Sequence, residues 1–155
     1  MNNLKNIQYT EGDCDCYGLF RKYFKQYYDL ELTNYARPLS FWEANLDLIS
    51  QNLNNEGFEV IDTGLDRLEL GDGIVMVLSG SRVANHLGVY VGNNQFLHHL
   101  YKQPSRVENY GSNWRRRTLT IIRHPEVTFK NSQTPIPSVN IQDLMPPHVR
   151  QANTP

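Results

Sequence analysis

Cys16 is the residue best placed in this sequence to act as a nucleophile. It stands in the run Asp15-Cys16-Tyr17-Gly18-Leu19, at the head of an expected helix. A thiol in a first helical turn faces backbone N–H groups and the positive end of the helix dipole. Both favour thiolate and can lower a thiol pKa from ~8.5 to ~3.5–7.5. The same position also suits a free cysteine acting as a small buried apolar residue, and helix position alone does not separate the two.

Histidines supply the partners a thiol needs. His86 lies within a strand, on the face opposite Leu87, Val89 and Val91. His98 lies on the next strand, and a tight turn over residues 92–94 brings the two strands side by side. A thiol, a base and a second imidazole that orients the base make a nucleophile triad. His99 faces the other way from His98, so only one of them can join the site, and periodicity does not choose. A lone histidine on a strand is often structural.

Cys14-x-Cys16 with His98-His99 could also be drawn as zinc ligands. The cysteine spacing is not that of structural zinc sites, so no metal is expected. Phosphate-binding loops and Gly-x-Ser-x-Gly elbows are likewise missing from the glycine pattern.

The elements that must position these residues follow from hydrophobic period. Over residues 14–30, Leu19, Phe20, Tyr23, Phe24, Tyr27 and Leu30 recur at helical spacing, with Asp13 and Asp15 at the start. A second helix is expected over 40–53, with Ser40 as N-cap, Glu43 completing a capping box, and Phe41, Trp42, Leu46, Ile49 and Leu53 inward. Gly57 ends it. Strands follow at 58–61, 74–78, 83–91, 95–100 and 118–123, with Gly71-Asp72-Gly73 a turn. Helices first and an antiparallel meander second is an α+β order. The last 25 residues hold 5 of the 8 prolines, so residues 126–155 are expected to form an extended Pro-rich arm after a domain over 1–125.

Composition bounds the function. The 155 residues make one ordinary domain, and 15 Lys+Arg against 16 Asp+Glu give a net charge of −1. That argues against a general nucleic-acid binder. No apolar run approaches the ~18 residues of a membrane span, and the amino terminus has no apolar signal-peptide core. Two cysteines one residue apart cannot staple a fold, which fits a reducing compartment. The charge is unevenly placed: residues 1–72 carry 13 acids and 6 bases, and residues 73–155 carry 3 acids and 9 bases. Singly, Arg115, Arg116, Arg117 and Arg123 read as solvated strand ends; together they could rim a site for an anionic polymer.

Three motifs in order, Asp15-Cys16-Tyr17-Gly18-Leu19, His86-Leu87-Gly88-Val89-Tyr90-Val91-Gly92 and Phe96-Leu97-His98, resemble the NlpC-type cysteine peptidases of peptidoglycan stem peptides. The resemblance covers residues 9–124, about three quarters of the chain. Tyr17 in place of the commoner serine, Phe20-Arg21-Lys22-Tyr23-Phe24, Leu97-His98-His99-Leu100-Tyr101, Asn109-Tyr110-Gly111 and Trp114-Arg115-Arg116 narrow it to the variant carried on the tails of lambda-like siphophages.

What the resemblance implies is a papain-like NlpC-type α+β fold with Cys16 as nucleophile, His86 as general base and later acid, and His98 as its orienting partner. The Cys16 backbone N–H, helped by Tyr9, would form the oxyanion hole. Asp15 matches the motif and is expected to shape the helix start. Gly18, Gly88 and Tyr90 match as close packing around the site. No cofactor is implied.

The implied reaction is hydrolysis of a D-γ-glutamyl–diaminopimelate amide, at a virion tail tip assembled in the host cytoplasm and acting on the cell wall. The implied partners are peptidoglycan stem peptides and other tail-tip proteins, the latter through residues 126–155. An amino-terminal metallopeptidase domain common in that variant is expected to be absent or encoded elsewhere. The alternatives are a structural tail component with little activity, a secreted antibacterial effector of the same peptidase type, and a non-hydrolytic binding module.

Overall fold

Helix α1 (Cys16–Tyr28) begins where Asp15 turns its carboxylate back on the chain: Oδ1 accepts from the Gly18 amide at 2.8 Å. It ends at Asp29, a left-handed residue (φ 51°) whose N–H caps the Phe24 carbonyl. In the computed structural model, which describes residues 2–38, 41–62 and 64–133, this helix is the main partner of the sheet. Tyr17, Leu19, Phe20, Tyr23, Phe24 and Tyr28 are buried. Each such side chain contributes about 1.5–3 kcal/mol by leaving water. Tyr27, expected inside, is exposed, and Tyr28 is buried in its place with its hydroxyl on the Leu70 carbonyl at 3.2 Å. Leu19, Phe20, Tyr23 and Phe24 face inward as expected, and the stripe shifts by one residue only at its end.

The single helix expected over 40–53 is two pieces. A 3-10 turn (Phe41–Ala44) is followed by left-handed Asn45 (φ 55°), and α2 (Leu48–Asn55) then starts afresh. A left-handed residue cannot continue a right-handed helix. Asp47 is the N-cap, accepting from the Ser50 amide at 3.1 Å. Leu46, in the break, is exposed, and the expected cap Ser40 lies outside the described residues. Gly57 (φ 84°) does end the helix.

The sheet is six-stranded and antiparallel throughout: β1 (Glu59–Val60), β2 (Gly73–Met76), β3 (His86–Gly92), β4 (Gln95–His98), β5 (Arg106–Asn109) and β6 (Thr118–Arg123), in the order β1-β6-β2-β3-β4-β5. Strands β2 to β5 form a consecutive meander, of which β2, β3 and β4 were expected. Strand β6 returns to the far side of β2. Asn93 and Asn94 both take positive φ in the β3–β4 turn, as a tight hairpin requires. Strand β5 and a short helix, α3 (Ser112–Arg115), were not expected from the sequence.

Two apolar layers flank the sheet. One joins α1 to Leu87, Val89, Val91 and Leu97; the other comprises Ile74, Met76, Phe96, Tyr110 and Ile121, with Trp114 packed on it. The architecture is α+β, as expected.

The expected arm is not extended at its start. Pro125–Gln133 is helix α4, with Val127 buried and Asn131 donating to the Leu70 carbonyl at 2.8 Å. Pro125 sits in the first turn, where its missing N–H costs nothing, and the Val127 N–H bonds the His124 carbonyl. Residues 134–155, the rest of that arm, lie outside the described residues.

Candidate active site

The setting of Cys16 is built by Asp15. Beyond capping α1, its Oδ2 accepts from Arg37 Nε at 2.8 Å and from the Gly12 amide at 3.2 Å. Arg37 is in turn held by the carbonyls of Gly12 (2.8 Å) and Tyr35 (2.6 Å). This buried pair locks the turn before Cys16, so Asp15 shapes the helix start. Gly18 is required there, because a Cβ would stand 1.7 Å from the Asp13 carbonyl oxygen.

His86 opens β3 and His98 closes β4, so both stand at the same end of the hairpin, where Gly88 pairs with His98. Their rings meet edge to face, with His86 Nε2 and His98 Nδ1 3.0 Å apart. That leaves Nδ1 as the His86 nitrogen for a nucleophile. Both rings are buried, and Trp114 packs against each of them. Glu108 of β5 brings Oε1 to 3.6 Å from His98 Nε2, and its Oε2 accepts from Trp114 Nε1 at 3.0 Å. At 3.6 Å the His98–Glu108 contact is electrostatic rather than a hydrogen bond.

Cys16 and His86 line one cleft of about 250 Å³. The backbone amides of Leu87 and Tyr17 lie against the Cys16 thiol. Tyr9, Tyr101, Trp42, Phe41, Leu78 and His99 also face the cleft. Tyr9 is brought there by a clamp on the amino terminus: the Asn6 amide donates to the Ser105 carbonyl at 2.7 Å and the Ile7 amide to Ser105 Oγ at 2.9 Å. A small Thr10–Cys14 bridge then turns the chain into α1. Tyr9 stands edge-on to His99 and to Tyr101, at centroid distances of 5.4 Å and 5.3 Å.

The two neighbouring histidines therefore divide. His98 meets His86, and His99 forms part of the cleft wall.

Electrostatics sets the resting protonation. Burial, then the negative charge of Asp15, pushes the Cys16 thiol up to about 12, against the pull of the Leu87 amide, Arg37 and the Tyr17 amide. Helix position left thiolate and buried thiol undecided; here desolvation outweighs the pull of the helix start. Burial lowers His86 well below its ordinary value, and His98 to about 3. Cys16 and His86 thus rest as a neutral thiol and a neutral imidazole. Burial also raises the Tyr9 phenol, which therefore stays protonated and able to donate.

Several features of the sequence stand elsewhere. Cys14 is buried, with its thiol toward Lys22. Arg115 pairs with Asp66 at 2.5 Å, and Arg123 with Asp72 at 2.6 Å and Glu69 at 2.8 Å. Arg116 donates to Asn113, and Arg117 lies over the Trp114 ring. None of these four arginines lines the cleft, so they do not rim it as a positive surface. Among the described residues no group of three or more His, Cys, Asp or Glu side chains could hold a metal ion, and no helix is long and apolar enough to cross a membrane.

Sequence reasoning missed Arg37, Glu108 and Trp114. Glu108 sits in a four-residue strand, Arg-Val-Glu-Asn, with no hydrophobic period to mark it. Arg37 lies in an irregular segment and is given meaning only by the buried Asp15 it neutralises. Trp114 stands in a run quoted for its resemblance, without any signal of its contact with the histidines.

Comparisons with known proteins identify the family. The NlpC/P60 family model matches residues 6–123. The chain is 31% identical over 122 residues to the tail tip assembly protein K of Escherichia phage lambda, covering 79% of this chain and 59% of that protein. It is 34% identical over 118 residues to the protein of the same name from Escherichia phage N15, covering 75% of this chain and 47% of that one. The chain thus spans about half to three fifths of these relatives. Among solved structures it resembles NlpC1 from Trichomonas vaginalis (TM-score 0.54, 20% identity, 79% of this chain and 40% of that one). It also resembles an NLP/P60 family protein from Staphylococcus aureus (TM-score 0.52, 15% identity, 78% and 37%). The chain belongs to the NlpC/P60 family.

Proposed function

We propose that this NlpC/P60 member is a cysteine endopeptidase that cuts amide bonds of peptidoglycan stem peptides, D-γ-glutamyl–diaminopimelate the bond expected, at a phage tail tip. The observation that carries this reading is the His86–His98 contact at 3.0 Å beside a cleft that His86 shares with Cys16. The tail setting is supported by the two relatives named as tail tip assembly proteins.

Because thiol and base both rest neutral, attack and proton transfer are coupled. His86 Nδ1 takes the Cys16 proton as Sγ bonds to the substrate carbonyl carbon. The oxyanion that develops meets the first-turn amide of Cys16, which helix geometry leaves without an intrahelical acceptor, and the Tyr9 hydroxyl. The imidazolium then gives its proton to the amide nitrogen as the C–N bond breaks, leaving a thioester. Water, deprotonated by His86, adds to that carbonyl; the C–S bond breaks and the proton returns to sulfur. His98 holds the His86 ring throughout.

The test is a digest of purified sacculi resolved by mass spectrometry, with the Cys16→Ala protein as control. New amino-terminal diaminopimelate fragments from the native protein alone are expected. A second reading, an assembly component with little hydrolytic activity, draws on the word "assembly" in the names of both relatives. Phage carrying Cys16→Ala distinguishes them: full infectivity together with no fragment release from the native protein favours the scaffold.

A further inference from the structure

The hydrogen bond between His86 and His98 can be made in two ways. In one, His86 Nε2–H donates to a bare His98 Nδ1, so the proton of His98 is on Nε2 and His86 Nδ1 carries a lone pair. In the other, His98 Nδ1–H donates to His86 Nε2, His98 Nε2 is bare, and His86 Nδ1 is protonated. Only the first arrangement can accept a proton from a thiol. The two rings by themselves have no reason to prefer it.

We propose that Glu108 is a positioning residue that selects the productive tautomer of the His86–His98 pair. The proposal rests on the reading of Cys16 as nucleophile and His86 as base. Its physical basis lies on the far side of His98. Nε2 of that ring is buried and has no hydrogen-bond partner, and the carboxylate oxygen facing it is Glu108 Oε1 at 3.6 Å. A carboxylate attracts an N–H dipole and repels a lone pair, so it favours the His98 proton on Nε2. Nδ1 is then an acceptor, His86 must donate from Nε2, and its Nδ1 is left bare.

Glu108 is itself fixed. Trp114 Nε1 donates to its other oxygen at 3.0 Å, and the Arg106 guanidinium pairs with Oε1. The same Trp114 ring packs edge-on against His98, at a centroid distance of 4.8 Å. Arg106 alone would act in the wrong sense, since a cation beside His98 favours a bare nitrogen facing it. The Glu108 carboxylate, facing Nε2 through Oε1, opposes that cation. No contact between Glu108 and the cleft is required, and Glu108 is not among the side chains lining it.

The experiment is long-range nitrogen–proton correlation on the full chain with labelled histidine at pH 7, on the native protein, Glu108→Gln and Trp114→Phe, alongside kinetics on sacculi or a stem peptide. The expected native result is both His86 and His98 protonated on Nε2. In Glu108→Gln, where the amide can either donate or accept, a population of His86 protonated on Nδ1 should emerge. Its kcat should fall about ten-fold or more while KM stays within about two-fold. Trp114→Phe, which loosens the carboxylate without removing it, should shift the same populations by less.

The proposal is overturned if native His86 is protonated on Nδ1. It is also overturned if Glu108→Gln lowers kcat without changing either tautomer, or changes neither. The correlation needs no substrate, so it stands apart from the underlying reading: cleavage retained by Cys16→Ala would sink the nucleophile while leaving the tautomer result to be judged on its own.

Discussion

The two faces of the sheet treat their histidines in opposite ways. On the α1 side, His99 stands in the wall of an open aromatic cleft, beside Tyr9 and near the Cys16 thiol. On the other side, His98 is packed between Phe96 and Trp114, with centroids at 4.3 Å and 4.8 Å, and meets His86. His98 and His99 are equally buried, at 1% exposure, so the two faces differ in their partners rather than in exposure. On the proposed reading the packed face orients the base, because water there would offer His98 both a donor and an acceptor and erase any preference between tautomers. The cleft face would take the substrate, which must reach the sulfur.

That division can be broken most severely at Cys16, the proposed nucleophile. Cys16→Ala should abolish cleavage, with a loss of at least about 10³-fold in kcat, while the melting curve stays near native. The sharper contrast is His98→Ala against His99→Ala. The first should lose on the order of 10²–10³-fold in kcat, the second less than about ten-fold and mainly in KM. Equal losses would dissolve the distinction between the faces.

On the cleft side the scaffold itself can be tested through Arg37→Ala, which leaves the buried Asp15 carboxylate without its cation. Its expected cost is about 3 kcal/mol in a denaturant titration, because Asp15 keeps its two amide donors. A loss below about 0.5 kcal/mol would show the pair to be solvated.

On the packed side the comparison is tested by titration. His86 and His98 bind a proton less readily folded than unfolded, so the unfolded chain takes up more protons as pH falls. Stability is therefore fully present above the unfolded value of about 6.5 and declines below it, down to about 3 for His98. The decline is at most about 1.4 kcal/mol per pH unit for each ring. Melting at pH 7 and pH 5 should show the drop, and His98→Gln should reduce it. A slope unchanged by His98→Gln would mean that the ring is not held neutral by burial.

Legibility in the sequence followed the strength of local pattern. The helix of α1 was readable from its apolar spacing and its Asp15 cap, and β6 from its run of Thr, Leu and Ile. The β3–β4 hairpin was readable from Gly92-Asn93-Asn94, because such turns demand residues that tolerate positive φ. Where local signals compete, the pattern misled. Ser40 and Glu43 form a convincing capping box, yet left-handed Asn45 and the Asp47 cap divide that helix. Pro125 marked the start of an arm by composition, but a proline in a first turn starts a helix equally well, and burial of Val127 decided for the helix.

The sequence by itself determined that a thiol would head a helix and that histidines would come together on paired strands. Both follow from spacing within short segments, where backbone geometry leaves little freedom. Only the tertiary structure decided which of His98 and His99 meets His86, that Arg37 neutralises Asp15, and that Glu108 stands behind His98. The reason is physical. Each of those contacts joins segments far apart in the chain, and strand register together with desolvation, neither of which is written in local periodicity, fixes which charge meets which ring.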